Sequence, residues 1–139
     1  MTRLFALLLA AWPGSAAAAC TASSSGLNFG QYDPFSPAPL EGVGRINLQC
    51  DGPLTVEVGL SQGQGSFAER RLIAGAGALV YNLFIDEQHT TVWGDGAGST
   101  ATVTISGSSG IIPIYGIVAP RQNVAPGVYE DMIFVSIVY

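Results

Sequence analysis

The chain has 139 residues, 48% hydrophobic and only 11% charged, and its five arginines, ten acidic residues and absence of lysine give a formal net charge of −5. That balance disfavours nucleic acid and anionic membrane surfaces as partners, because a polyanion finds little basic surface to neutralise it. Eighteen glycines and eight prolines predict many turns and few helices.

Residues 1–19 read as a secretory signal peptide. Arg3 supplies the positive start, residues 4–12 a short apolar run, and Ala17, Ala18 and Ala19 a small-residue cleavage site. The run is well short of the roughly 20 residues that span a membrane, and Pro13 and Gly14 close it. The leader is left out of the predicted fold, so 20–139 forms one domain of a size that can bury a single core. Cleavage after Ala19 makes Cys20 the first mature residue. A lipid anchor there is one use for it, disfavoured by Ala17 standing where a lipoprotein signal usually carries leucine. Cys50 is the only other cysteine, and an even pair in a secreted chain predicts a Cys20–Cys50 disulfide. Closing that loop is worth roughly 3–4 kcal/mol on a chain-entropy basis.

In chain order, strands are predicted at 27–29, 44–50, 54–60, around Leu72, and at 79–85, 101–105, 111–118 and 128–139. The alternation is cleanest at 44–50, with Ile46, Leu48 and Cys50 opposite Arg45, Asn47 and Gln49, and at 54–60, with Leu54, Val56, Val58 and Leu60 opposite Thr55, Glu57 and Gly59. Asp51-Gly52 between them reads as a short turn connecting two strands directly. Residues 33–39 (DPFSPAP) hold three prolines and cannot pair in a central strand, so they form a crossover loop. Residues 63–65, 75–77, 93–99 and 106–110 carry turn chemistry. Short strands with frequent turns, and an early disulfide, fit an all-β sandwich of immunoglobulin type.

Catalytic chemistry is sparse. The single histidine, His89, sits in a polar loop and reads as a solvated residue, so with the cysteines paired no usual metal set is expected. Residues 63–68 match a glycine-rich dinucleotide fingerprint in form, but no βαβ unit surrounds them and a turn is the better reading. There is no GxSxG elbow, and without lysine there is no Ser-Lys dyad or Schiff base. Carboxylates at Asp86, Glu87, Asp95, Glu130 and Asp131 leave a glycosidase as a distant alternative. Trp93 in a glycine-flanked loop allows a carbohydrate-stacking platform, against the reading that it ends a strand and packs beneath it. No cofactor and no enzymatic activity are expected.

The last strand, 128–139, is apolar and follows an Ala125-Pro126-Gly127 turn. A strand at a terminus has two edges, and an uncovered one invites pairing. Either earlier strands flank it on both sides or a partner adds a strand to it.

Several pieces together resemble the spore coat protein U family, which includes subunits of archaic chaperone-usher pili. They are Cys20, residues 27–34 (LNFGQYDP), 44–50 (GRINLQC), 60–63 (LSQG), 79–86 (LVYNLFID), 93–96 (WGDG) and 127–131 (GVYED). The resemblance implies an incomplete immunoglobulin-like β-sandwich lacking its last strand. It also implies a periplasmic chaperone that lends that strand, an outer-membrane usher that exchanges it, and neighbouring pilus subunits as partners. The expected role is a structural or adhesive subunit in attachment or biofilm formation, secreted through the periplasm to the cell surface. The alternatives are a stand-alone coat-like domain and, further off, a carbohydrate-binding module or enzyme. Polymerising subunits of such pili carry an apolar extension before the first cysteine, and here only the leader precedes Cys20. A chain that accepts a strand without donating one belongs at a tip, caps something, or is not a pilin at all. The groove that takes the partner strand is expected to be lined by Leu27, Phe29, Ile133, Val135, Ile137 and Tyr139, with Tyr129 anchoring the start of the last strand. The opposite register exposes Met132, Phe134 and Val138 to the groove instead.

Overall fold

The computed structural model describes residues 2–9, as backbone, and 19–139; the rest of the apolar run and the small-residue site at Ala17 and Ala18 lie outside the described residues. Among the described residues eight strands are present: β1 (Thr2–Leu9), β2 (Cys20–Ser23), β3 (Leu27–Tyr32), β4 (Leu40–Leu60), β5 (Arg70–Ala74), β6 (Gly77–Phe84), β7 (Val103–Val118) and β8 (Val128–Val138). They form one sheet in the order β2-β4-β7-β6-β5-β8-β1-β3, and a further β4–β8 pairing curls it back on itself. The all-β expectation holds. Hydrogen bonding, however, links every strand into one folded-over sheet rather than two separate ones.

The reason lies in β4 and β7. Asp51-Gly52 does not reverse the chain, and 44–50 and 54–60 are two halves of one 21-residue strand. Likewise 101–105 and 111–118 are not separate strands joined by a turn, because β7 runs unbroken through its glycines and serines. The two irregularities face each other. Gln49 pairs with Ser109 and Leu54 with Gly107, so β4 carries extra residues at that point while Gly107 takes a φ of 124°. A bulge with a left-handed glycine opposite bends both strands together. Below the bend β4 pairs with β2 and β7, and above it with β7 and β8. Strands that bend at a bulge turn the corner from one layer to the next.

Inward residues of all layers meet in one core, including Ile46, Leu48, Val58, Leu60, Leu72, Leu79, Leu83, Trp93, Ile114 and Val118. Cys20 and Cys50 stand directly opposite in the β2–β4 ladder and are disulfide-bonded, as the cysteine count predicts. β2 was not among the expected strands, four residues being too few to show a period.

The inner face of β4 and β7 has a gap built by glycine. Gly42 and Gly116 are cross-strand partners. A Cβ on Gly42 would lie 2.8 Å from Leu27 Cδ2 and 2.9 Å from Phe29 Cδ1, and one on Gly116 would lie 2.7 Å from Phe29 Cζ. The two β3 side chains therefore occupy the space that side chains on β4 and β7 would take. Tyr32 finishes the attachment, its hydroxyl donating to Ala119 O at 2.8 Å and accepting from Gln122 N at 2.8 Å.

Gly116→Ala is expected to cost about 1–3 kcal/mol by overpacking, read as a lower urea midpoint. Amide exchange should speed up in β3 before it does in β7, since the displaced groups are Leu27 and Phe29.

Candidate strand-acceptor groove

β8 alternates without a break: Tyr129, Asp131, Ile133, Val135 and Ile137 are buried, while Val128, Glu130, Met132, Phe134 and Val138 are exposed. The two rows are distinct, for a one-residue slip would reverse every side chain. Met132, Phe134 and Val138 form the outward row. Of the six residues expected to line a groove, Leu27, Phe29, Ile133, Val135 and Ile137 are buried in the core. Tyr139 is not. It is 44% exposed, and its hydroxyl accepts a hydrogen bond from Cys20 N at 2.8 Å.

Tyr129 is anchored as expected. Its hydroxyl donates to Ala125 O at 2.7 Å, four residues back, closing the 125–128 corner and fixing where β8 begins.

β3 and β8 do not touch edge to edge. One strand's width separates them, and β1 fills it. Arg3 to Leu9 run parallel to β8 opposite Val128 to Phe134, and the other edge of β1 pairs antiparallel with β3, Thr2 opposite Tyr32 and Ala6 opposite Leu27. Among the described residues β1 is the only ladder partner of β3. A segment read from the sequence as a leader outside the fold is thus, in this chain, the strand that joins β3 to the rest. On its opposite edge β8 pairs with β4, Val135 to Val138 against Leu60 to Glu57, and touches β5 at Ile73–Glu130.

Next to the groove lies a buried polar cluster that sequence reading did not find. Arg70 is fully buried, its guanidinium donating to Ser61 O, Trp93 O and Asn82 Oδ1 at 2.6–3.1 Å. Burial lowers its pKa to about 10, and Tyr81 and Asp131 pull the other way. Asp131 is buried at the groove's end, where Oδ2 accepts from the Tyr81 hydroxyl at 2.6 Å and Oδ1 from Gln64 N and Met132 N, each at 2.9 Å. Burial first, and Asp131 second, push the Tyr81 phenol far above its ordinary value. Every polar atom of the cluster has a partner. One signal was available: alternation puts Arg70 on the same face as Leu72.

The other candidates are held in local structure. Trp93 is fully buried, with Nε1 donating to Val58 O at 2.9 Å, so it packs beneath a strand and presents no stacking face. Glu130 and Asp131 point to opposite sides of β8. Asp86 accepts from Thr90 and Thr91 backbone amides and from the Thr90 hydroxyl, and that hydroxyl foremost lowers its pKa. Asp95 Oδ1 accepts from Ala97 N at 2.9 Å. His89 sits at φ 56° with its ring edge-on to Phe84 at 5.4 Å, 3.7 Å from Glu41. The 63–68 stretch is the turn from β4 to β5, and a Cβ on Gly63 would meet the Asp131 carboxylate.

Fold and groove together define a class: a small all-β domain in which one strand position, between β3 and β8, is filled from outside the 20–139 body. The chain belongs to the Spore Coat Protein U domain family, which it matches over residues 5–136. It is 31% identical over 127 residues to Protein U of Myxococcus xanthus, a match covering 81% of this chain and 71% of that protein. It also shares its fold with a chain in the crystal structure of the CsuC-CsuE chaperone-tip adhesion subunit pre-assembly complex from archaic chaperone-usher Csu pili of Acinetobacter baumannii. The TM-score is 0.62 at 16% identity, over 88% of this chain and 40% of that one, so this chain spans less than half of it.

The Tyr81 pKa has a sign that can be tested. It is raised in the folded state, so the stability it contributes is present below about pH 10 and is lost as the pH climbs above the unfolded value of 10.0. In an alkaline titration followed by phenolate absorbance, the Tyr81 phenol should stay silent until the chain unfolds. Tyr81→Phe should abolish that step and cost about 1–3 kcal/mol at neutral pH, because Asp131 Oδ2 loses its buried donor.

Proposed function

We propose that this chain is a non-enzymatic structural or adhesive subunit of a chaperone-usher surface pilus that accepts a donor strand between β3 and β8. The observation that carries the reading is the position of β1. β8 and β3 are both built to pair with a strand that the 20–139 body does not supply. Family membership and the shared fold support it. On this reading the 20–139 body is an incomplete immunoglobulin-like sandwich held by a periplasmic chaperone. An outer-membrane usher then passes it to a neighbouring subunit, and the surface fibre serves attachment or biofilm formation. Leu27, Phe29, Ile133, Val135 and Ile137 form the floor against which alternate side chains of the donor pack, and Tyr139 contributes only at the rim. The chain passes through the periplasm to the surface, and among the described residues no helix is long and apolar enough to cross a membrane.

A second reading is favoured by one observation, that β1 comes from the chain itself. A stand-alone secreted coat-like domain would complete its own sheet.

Producing the precursor in a bacterial periplasm with and without the chaperone encoded beside it, followed by native mass spectrometry, separates the two. The pilus reading expects a one-to-one complex and little product without the chaperone. A stable monomer in the chaperone's absence selects the stand-alone domain, and its mass shows whether residues 2–9 are retained to complete the sheet. Within the complex, Ile133→Ser should lower recovery about tenfold or more, as expected for a core cavity of ~2 kcal/mol or above. Met132→Ser on the outward row should leave recovery within about twofold.

A further inference from the structure

The groove has an occupant of its own, and that occupant decides when it is open. We propose that Thr2–Leu9 is an intramolecular complementing strand, so that the chain retaining it is closed to any donor strand and the chain cut after Ala19 is open. The inference goes beyond the pilus reading and needs no chaperone.

Four observations carry it. β1 pairs along both edges, with β8 from Arg3 to Leu9 and with β3 from Thr2 to Ala6, so it lies inside the sheet and not along its rim. β3 has no other ladder partner among the described residues, so without β1 it is held by the side chains of Leu27, Phe29 and Tyr32 alone. The family match begins at residue 5, within β1, so this segment lies inside the family's own limits.

The fourth is chain closure. Leu9 stands opposite Phe134, and Cys20 N is bonded to the Tyr139 hydroxyl. The gap to bridge is close to five strand residues, roughly 17 Å. Ten residues of chain span at most about 35 Å, so the number of residues between Leu9 and Cys20 suffices to cover that gap. A linker of that length gives an effective concentration on the order of millimolar. A donor peptide at ~10 µM therefore faces about a hundredfold disadvantage while β1 is attached.

Opening the groove requires hydrolysis of the Ala19–Cys20 amide by a peptidase of the signal-processing class. Water supplies hydroxide to the Ala19 carboxylate and protons to the Cys20 amine. In the folded chain both sides of that bond are engaged, Ala19 O accepting from Asp51 N at 2.9 Å and Cys20 N donating to Tyr139. A chain that folds before it is cut therefore keeps its strand, and processing must come first.

The test uses the full chain, 1–139, with residue-resolved hydrogen exchange and a fluorescent peptide of sequence TRLFALLL added in trans. The wild-type chain should be monomeric, should protect the amides of 4–8 together with those of Val128 to Phe134, and should take up almost no peptide. Ala6→Pro combined with Leu8→Pro removes two ladder donors at positions opposite Leu27, Asp131 and Ile133. That variant should lose the protection in β8 and take up about a hundredfold more peptide, with β4 and β7 still protected. Coil-like exchange at 4–8 in the wild type, or peptide uptake equal to the variant's, overturns the proposal. Protection found only in a dimer overturns it as well, since the strand is then exchanged between copies. Should the double variant fail to fold, wild-type exchange decides alone. No arm involves a chaperone, so a negative result leaves the pilus reading standing.

Discussion

The fold depends on satisfying two backbone edges at once. β3 and β8 each present N–H and C=O groups toward the same narrow gap, and peptide groups left without partners at that depth are costly. A single strand satisfies both. Whatever fills that position joins Leu27 and Phe29 on one side to Ile133 and Val135 on the other, and among the described residues β3 has no ladder to the rest of the sheet by any other route. The remaining architecture can be read as support for this gap. The Gly42–Gly116 pair makes room for β3, the Tyr129 corner fixes where β8 starts, and Asp131 closes the end of the row with three hydrogen bonds.

The Arg70 cluster serves the same gap from behind. Its guanidinium draws together the end of β4 through Ser61, β6 through Asn82 and the following loop through Trp93, adding side-chain bonds where only single backbone bonds such as Trp93 N to Leu83 O and Leu60 N to Gly94 O join them. A buried cation gains nothing from burial itself. Here it is useful because a planar fork reaches several carbonyls that no strand neighbour can satisfy. Gln122 does similar work at another edge, its amide copying a strand residue against Val80, with Oε1 accepting at 2.7 Å and Nε2 donating at 2.9 Å.

Much of this was legible as faces and little of it as pairings. The inward row of β8, the alternation in β4 and the anchoring of Tyr129 follow from period two and from a tyrosine placed after a Pro-Gly turn. Period two says which side of a strand is buried and nothing about its neighbours. That is why the two halves of β4 read as a hairpin: Asp-Gly is turn chemistry, and only Ser106 to Ser109 across the ladder show that it is a bend. The folded-over single sheet was hidden by the same two bends. Residues 2–9 were invisible as a strand because an apolar run after an arginine satisfies a leader and a central strand equally well. Arg70 was passed over because it sits between Glu69 and Arg71 in a stretch that looks solvated, and burial of its charge depends on carbonyls far away in sequence.

The disulfide has a mechanical side. Cys20 and Cys50, 30 positions apart in the sequence, close a covalent loop that contains the whole of β3. When the chain is pulled from residue 19 and from Tyr139, tension passes through sulfur from β2 straight into β4 and on to the long β4–β7 ladder. β3 carries none of it. A strand with a single ladder neighbour among the described residues is shielded from tensile load, and the groove it borders can keep its shape while the domain is stretched.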